Sequence, residues 1–206
     1  MNVLTELYEK TDSPEAYVTG FCDHMANVVN SLDKAAIAEL IDIVEKVATE
    51  DKTLFLVANG GSAAVSGHWV NDLSANAVVE GQPGYRVISL TDNASSLTAL
   101  GNDVGFDLVF VNQLKANMRK DDVVIFMSVS GNSPNLVKAA EYAKDNGGIV
   151  VSCTGMEGGK LKDICDLSIH TPSTKDEYGP IEDVFSIIMH IVTGYLTMKR
   201  GKKLSH

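Results

Sequence analysis

The sequence is short of basic residues, and this shortage excludes a class of partners. Lysine and arginine together number 17 against 27 acidic residues in 206, which gives a net charge of −10 at pH 7. A chain this acidic repels nucleic acid and anionic membranes, although a local pocket for a small anion remains compatible with it. We therefore expect no nucleic-acid partner.

Cysteine and long apolar runs are also scarce. The three cysteines, Cys22, Cys153 and Cys165, are an odd and widely spaced set that matches neither a zinc finger nor a disulfide framework. We expect all three to be buried as small hydrophobic residues in a reducing cytoplasm. No uninterrupted apolar run approaches the roughly 20 residues that cross a bilayer, and the amino terminus lacks the basic-then-apolar order of a signal peptide. The sequence predicts a cytoplasmic protein without a membrane partner.

What the sequence does contain is an alternation of short apolar runs and helical patterns. The apolar runs lie at 53–58, 86–90, 122–128, 148–153 and 167–170, and the helical patterns lie at 62–79, 107–118, 133–146 and 181–198. This alternation is typical of a parallel sheet covered by helices on both faces. We predict an α/β fold, a three-layer α/β/α sandwich with a central parallel sheet of about five strands.

Two further helices are predicted before the first strand, between residues 14 and 50. Ser13 and Pro14 place a capping serine before a proline at the first helical position, and apolar residues then recur at helical spacing on both sides of a break at Ser31. No repeat or linker marks a second domain. We expect one domain over residues 1–206, with residues 1–50 used in packing or oligomerisation and residues 51–206 forming the α/β core.

Two polar turns follow predicted strands and precede predicted helices. Residues 128–133, Ser-Val-Ser-Gly-Asn-Ser, offer three hydroxyls, backbone N–H groups opened by Gly131 and a helix N-terminus, which together suit one phosphate. A serine-capped helix after a glycine turn would have the same sequence. Residues 59–62, Asn-Gly-Gly-Ser, repeat the layout, and a plain tight turn is the alternative there. Both turns are expected to face one crevice at the carboxyl ends of the strands.

Two imidazoles and two carboxylates form a candidate metal site. His68 and Asp72 are one helical turn apart and share a face; they suit a metal ion, an oriented imidazole or simply a solvated pair. Glu182 and His190 on the last predicted helix complete a set suited to zinc or a similar divalent ion. Roughly 12 Å of helical rise separates Glu182 from His190, so both reach one ion only if Glu182 precedes the regular helix or different subunits supply them. The sequence shows no comparable partners for the other three histidines, His24, His170 and His206.

At these residues the sequence resembles the sugar isomerase (SIS) domain family, and within it the bacterial phosphoheptose isomerases. The resemblance covers most of the chain, through residues 59–64 (Asn-Gly-Gly-Ser-Ala-Ala), 100–103 (Leu-Gly-Asn-Asp), 128–133 and 154–155 (Thr-Gly), to the final helix. It implies a homotetramer, or a dimer, with active sites between subunits. It also implies conversion of the phosphosugar sedoheptulose 7-phosphate to D-glycero-D-manno-heptose 7-phosphate.

The resemblance further implies roles for particular residues. The implied substrate contacts are Asn59, Gly60, Gly61, Asp92, Asn93, Ser128, Val129, Ser130, Ser133 and Glu182. The implied zinc ligands are His68, Asp72, Glu182 and His190. Asp72 would be the base and His190 its acid partner in proton transfer through an enediol. The sequence departs from the common pattern at four positions, with Asp72 for glutamate, Glu182 for glutamine, and Asn76 and Pro180 for arginine.

Two other functions stay open at this point. One is a non-catalytic SIS module that binds a phosphosugar, or a protein partner, as a regulator or scaffold. The other is an isomerase of a different phosphosugar. The two histidines and two carboxylates favour an enzyme over a binding module.

Overall fold

A computed structural model describes residues 2–202 of the chain. Three helices come first, α1 (Val3–Lys10), α2 (Pro14–Asn30) and α3 (Lys34–Thr49). Strands and helices then alternate as β1 (Thr53–Ala58), α4 (Gly60–Asn71), β2 (Arg86–Ser89), α5 (Ala94–Asp103), α6 (Val109–Asn117), β3 (Val123–Ser128), α7 (Pro134–Asp145), β4 (Ile149–Thr154), α8 (Gly159–Ile164), β5 (Leu167–His170) and α9 (Tyr178–Lys199). A π-helical turn, Asp72–Asn76, continues α4, and a 3-10 turn, Phe106–Leu108, precedes α6.

The five strands form one parallel sheet in the order β2-β1-β3-β4-β5. This confirms the predicted fold class, and each strand ends within one residue of its predicted position. All six residues of the central strand β3 are buried, which explains why such strands appear in the sequence as continuous apolar runs. Ala58, the last residue of β1, is the register partner of Met127, the last residue but one of β3. The two polar turns therefore leave the sheet side by side.

Helices cover both faces of the sheet and bury two apolar clusters. One cluster, around Trp69 and Phe185, joins α3, α4 and α9 to one face. The other, around Phe110, joins α6 and α7 to the opposite face. Neighbouring residues of β1 point to different clusters, as Leu56 and Phe55 show. The three-layer arrangement follows directly from this alternation.

The first two helices lie largely outside these layers. Helix α1 buries none of its residues and α2 buries only Val28, whereas α3 buries six residues against the core. The two predicted N-terminal helices correspond to α2 and α3, and α1 is an addition to them. A role for residues 1–50 in packing between subunits remains a prediction.

Three core helices differ from the sequence pattern. The helix expected over residues 62–79 begins earlier, at Gly60, and changes to the π-helical turn at Asp72. Helix α5 has no fully buried residue and packs only Leu97 and Leu100 partly against the core, and α8 has only six residues. The sequence pattern predicts neither α5 nor α8 because both lack a sustained apolar period.

Helix α9 is, among residues 2–202, the one helix that is long and apolar enough by length and composition to cross a membrane. Half of its apolar stretch is buried inside the protein, in the cluster that covers one face of the sheet. This burial is typical of a core helix, so the finding is weak evidence for a membrane span.

The cysteines are all free, but only Cys153 is buried. Burial raises the pKa of its thiol to about 12. Cys22 is exposed and Cys165 is half-buried, so the prediction that all three are buried is wrong. The reason at Cys22 is the position of α2, which leaves most of its surface outside the core.

Candidate active site

A cavity of about 320 Å³ opens at the carboxyl ends of β1 and β3, where parallel α/β sheets bind ligands. The turn after β1, the turn after β3 and the start of α9 form its wall. The lining residues are Asn59, Gly60, Gly61, Ser62, Met127, Ser128, Val129, Ser130, Ser133, Leu136, Tyr178 and Glu182. All of the predicted substrate contacts except Asp92 and Asn93 lie in this wall.

Residues 128–133, the serine loop, fold back on themselves through their own hydroxyls. Ser128 Oγ accepts a hydrogen bond from the backbone N–H of Gly131 at 3.1 Å, and Ser130 Oγ accepts one from Asn132 at 3.3 Å. Ser133 occupies the N-cap position of α7, yet its side chain makes no capping bond. The Ser133 hydroxyl therefore remains available to a ligand at the positive end of this helix.

A reciprocal pair of amide hydrogen bonds joins the two turns. Asn59 donates to Asn135 Oδ1 at 3.0 Å, and Asn135 donates to Asn59 Oδ1 at 2.9 Å. Asn135 is 2% exposed and lies in the first turn of α7. Asn135 is not among the predicted site residues, because an asparagine near a helix start is ordinarily interpreted as local capping.

Glu182 lies over the first turn of α4. Ser62 donates to Glu182 Oε1 at 3.1 Å, and a Cβ on Gly61 would overlap Glu182 Oε2. The positive end of α4 stabilises this carboxylate. The two glycines thus have different roles, because Gly60 adopts a positive φ of 55° while Gly61 allows the carboxylate to approach.

Asp92 and Asn93 lie away from the cavity in this chain. Both line a separate surface depression beside β2, and Asn93 caps α5 by accepting from the N–H of Ser96 at 3.0 Å. The structure therefore does not bring these two residues to the predicted substrate wall within one chain. The reason is the sheet order, which places β2 at the edge and its following turn beyond β1.

His68, Asp72 and His190 come together as a ligand trio. Asp72 Oδ2 lies 3.5 Å from His68 Nε2 and 3.7 Å from His190 Nε2. The two imidazole rings meet edge to face, with centroids 5.0 Å apart. The packing of α4 against α9 produces this meeting, and beside it Trp69 donates its indole N–H to Thr193 Oγ1 at 3.1 Å.

Asp72 is held by amides on one of its two oxygens. Asn76 donates to Oδ1 at 3.0 Å and Asn71 donates to the same atom at 3.3 Å. The π-helical turn from Asp72 to Asn76 creates the spacing at which Asn76 reaches back, and such turns frequently occur at functional sites. Oδ2 is thereby left to face the two histidines.

Glu182 does not join the trio within one chain. The regular helix α9 already contains both Glu182 and His190, so of the two alternatives only the supply of ligands by different subunits stays open. Their separation of eight residues corresponds to roughly 12 Å along the helix. In a single chain Glu182 belongs to the cavity, and the four-ligand set remains a prediction that requires a second copy.

The trio has the residue types and spacing of three of the four ligands of a divalent ion. Its ligand atoms all lie within 4.8 Å of one another. Two of the separations are close to the roughly 3.3 Å expected between neighbouring ligands of a tetrahedral zinc. Three protein ligands with an open fourth position are the usual arrangement of catalytic zinc.

Two of the histidines left without partners in the sequence analysis have partners in the structure. His24 Nε2 contacts Oε1 of Glu177, whose side chain is buried and also accepts two hydrogen bonds from Thr174. His170 Nδ1 lies 3.0 Å from Lys162 Nζ. The His24 contact spans 153 residues, and no local sequence pattern predicts a contact of that range. His206 lies outside the described residues.

Comparison with known proteins agrees with the sequence resemblance. Residues 17–155 match the SIS domain family. The phosphoheptose isomerase of Rhodospirillum rubrum is 38% identical over 184 residues, which cover 88% of this chain and 94% of that protein. Both comparisons extend over more than half of the chain, so they concern the fold as a whole and not one motif.

Solved structures also agree with the sequence resemblance. A phosphoheptose isomerase from Francisella tularensis superposes with a TM-score of 0.79 at 25% identity, covering 89% of this chain and 96% of the other. The Vibrio vulnificus NanR protein, solved in complex with ManNAc-6P, has a TM-score of 0.63 at 14% identity over 95% of this chain and 66% of its own, and it shares the fold alone. The chain belongs to the SIS domain family, in its phosphoheptose isomerase branch, and is therefore an isomerase that acts on a phosphosugar.

Proposed function

We propose that this isomerase interconverts sedoheptulose 7-phosphate and D-glycero-D-manno-heptose 7-phosphate. The observation that carries the proposal is the cavity. One side of it is the serine loop, which suits a phosphate, and the other side has polar groups that suit sugar hydroxyls. The identity to a phosphoheptose isomerase over 88% of the chain supports this substrate over other phosphosugars.

The phosphate is assigned to the start of α7. There the hydroxyls of Ser128, Ser130 and Ser133 line the cavity, and the uncapped helix N-terminus supplies positive partial charge. These donors carry no formal charge, so they form an anion site without lysine in a chain of net charge −10.

The sugar end is assigned to the opposite wall. The Glu182 carboxylate lies on the first turn of α4 and repels a phosphate, while it accepts hydrogen bonds from sugar hydroxyls. Asn59, fixed by Asn135, offers both an acceptor and a donor beside it. The cavity thereby orients a phosphosugar with its phosphate toward Ser133.

The reaction moves one proton between adjacent carbons through an enediol. A base removes the proton from the carbon beside the carbonyl, the carbonyl oxygen is protonated, and the proton returns to the former carbonyl carbon as the neighbouring hydroxyl becomes the new carbonyl. We assign the base to the Asp72 carboxylate, which the amide bonds at Oδ1 orient, and the acid to His190. Zinc held by the trio would polarise the carbonyl and stabilise the developing negative charge on oxygen.

The proposed reaction requires two copies of the chain. Within one copy the trio and the cavity are two helical turns apart along α9, so one substrate does not reach both. We propose a homotetramer, or at least a dimer, in which the trio of one copy faces the cavity of another. Glu182 of that second copy would then supply the fourth zinc ligand. The free cysteines suit the cytoplasm, the compartment that we propose.

Deuterium exchange tests the reaction and the substrate together. The protein is incubated with sedoheptulose 7-phosphate in deuterated water, with and without zinc, and the sugar signals are followed by NMR. We expect deuterium at the carbon next to the carbonyl together with an aldose signal, and we expect the variant His190→Gln to lose both while retaining its fold.

The other outcomes separate the competing functions. Exchange without net product would keep the enediol chemistry and point to a different phosphosugar. Absence of exchange from a folded, zinc-loaded oligomer, with this sugar and with a panel of other phosphosugars, would favour a binding module. The ManNAc-6P complex of a protein with the same fold makes that second outcome a concrete alternative.

A further inference from the structure

The serine loop is held from outside by a second loop. Residues 155–160, the glycine loop, leave the carboxyl end of β4 and lie against residues 129–132. Gly155 donates its N–H to the carbonyl of Val129 at 3.0 Å, and Lys160 donates its N–H to Asn132 Oδ1 at 3.1 Å. Just beyond the loop, Leu161 donates to the carbonyl of Gly131 at 3.1 Å. Two backbone donors of the glycine loop and one just after it thus bind acceptors of the serine loop.

The contact between these loops requires glycine on both sides. A Cβ on Gly131 would overlap the carbonyl oxygen of Gly158, and a Cβ on Gly159 would lie 2.5 Å from the carbonyl oxygen of Ser130. In both cases the obstructing atom is backbone, which has no rotamer to move away. A Cβ on Gly158 would instead meet the flexible side chain of Lys162.

Both loops also adopt backbone conformations that favour glycine. The φ angles are 65° at Gly131, 89° at Gly158 and 56° at Gly159. The sequence therefore specifies both the conformation of each loop and the close approach between them. Neither the motif at 128–133 nor the resemblance stated above assigns a function to this contact.

We propose that Gly159, through its backbone contact with Ser130, positions the serine loop for phosphate binding. The inference rests on the proposed function, which places the substrate phosphate at that loop. Ser130 lies between the cavity and the glycine loop, so a displacement of its carbonyl also moves its hydroxyl and the N–H groups that follow. A preformed anion site avoids the free-energy cost of ordering the loop when the ligand binds. Gly159 is thus a positioning residue for binding, without a part in proton transfer.

A purely structural role makes a different prediction from a positioning role. If the contact only stabilised the fold, Gly159→Ala would lower the melting temperature and leave phosphate affinity unchanged. Gly105 offers a matched control, because its φ is 89° and a Cβ there would meet nothing within 4 Å. Gly105→Ala therefore also places a side chain at a positive φ, but without touching the serine loop.

The experiment compares wild type, Gly159→Ala and Gly105→Ala at a temperature at which all three are folded. Affinity for inorganic phosphate, KM and kcat for the phosphosugar, and the melting temperature are measured. We expect Gly159→Ala to weaken phosphate binding and raise KM by about tenfold to a hundredfold with little change in kcat. We expect Gly105→Ala to lower the melting temperature without changing phosphate affinity or KM.

Equal phosphate affinity and KM in wild type and Gly159→Ala would overturn this inference while leaving the proposed function intact. A wild-type protein that binds no phosphate and exchanges no sugar proton would overturn both. If Gly159→Ala does not fold, Asn132→Ala removes the tether to Lys160 without any clash and is expected to weaken phosphate binding severalfold. Unchanged affinity in that variant would likewise overturn the inference.

Discussion

The cavity and the ligand trio are built in different ways. The cavity is formed by turns, and its polar groups are fixed by backbone bonds or buried amides, as Asn59 is by Asn135. The trio is formed by side chains on two helices, and the imidazoles of His68 and His190 are 49% and 54% exposed. The chain forms the cavity from its own turns and leaves the two imidazoles of the trio about half exposed.

This difference separates binding from chemistry. Glycine turns bring N–H groups and hydroxyls close to a small anion, whereas helix faces hold carboxylate and imidazole groups at fixed spacing. Helices α4 and α9 connect the two regions, because each begins at the cavity and leads to the trio about two to three turns later. If the cavity binds the phosphate and the trio transfers the proton, a substitution in one region should leave the function of the other intact.

The largest effect is expected at Asp72. Asp72→Asn keeps an oxygen for the amide of Asn76 and removes the negative charge from Oδ2. Turnover should fall by about 10²- to 10⁴-fold because the proposed base is lost, while phosphate affinity stays within twofold of wild type, about 0.4 kcal/mol. Deuterium incorporation and phosphate titration measure the two quantities. Asp145→Asn, an exposed carboxylate at the end of α7, is the control, and a similar loss of turnover there would contradict the assignment.

The second effect is expected in the serine loop. Ser130→Ala combined with Ser133→Ala removes two hydroxyls from the proposed phosphate site. KM should rise by about tenfold or more for each hydroxyl, since each is proposed to donate to a charged group. Zinc affinity should not change. A double variant with wild-type KM would mean that the phosphate binds elsewhere.

The third effect is a zinc-dependent gain in stability. Zinc at 100 times its Kd should stabilise the folded protein by about 2.7 kcal/mol, a rise of about 5–10 °C in melting temperature for a chain of this size. His68→Ala should lose most of this shift because it removes one ligand of three. The Ser130→Ala, Ser133→Ala double variant should retain it. A zinc shift that persists in His68→Ala would place the ion outside the trio.

The sequence predicts those parts of the fold and the site that depend on residues close together in the chain. The strands, the serine loop and the His68–Asp72 pair are local patterns, and the structure contains each of them. Trp69 of α4 is bonded to Thr193 of α9, and the packing of these two helices brings His68 and His190 together. That distance is a consequence of tertiary packing, which spacing along the chain does not encode.

The remaining features depend on contacts between distant segments. Asn135 and the His24–Glu177 contact join elements 76 and 153 residues apart. The position of Glu182 depends on how α9 crosses the start of α4, whereas chemical type and the family resemblance group it with the other metal ligands. Asp92 follows a strand as predicted, but the edge position of β2 moves it away from the cavity.

The smallest effect is expected at Glu182, and it tests the separation of the two regions most directly. Glu182→Gln keeps an oxygen that can accept from Ser62 and removes the negative charge from the cavity wall. Phosphate affinity should rise by about two- to fivefold, or about 0.4–1 kcal/mol, because the variant no longer repels the anion across the cavity. Loss of the favourable interaction with α4 should lower stability by a similar amount. Phosphate titration and thermal unfolding measure both.

Turnover of Glu182→Gln decides whether phosphate binding and proton transfer belong to separate regions. Either side chain presents an oxygen to an ion held by another copy, so turnover should change by less than about tenfold, or 1.4 kcal/mol. A fall comparable with that of Asp72→Asn would show that the charge of Glu182 takes part in the chemistry. The cavity would then contain a catalytic carboxylate of its own. In that case binding and proton transfer would share one wall, and the trio would be an accessory to it.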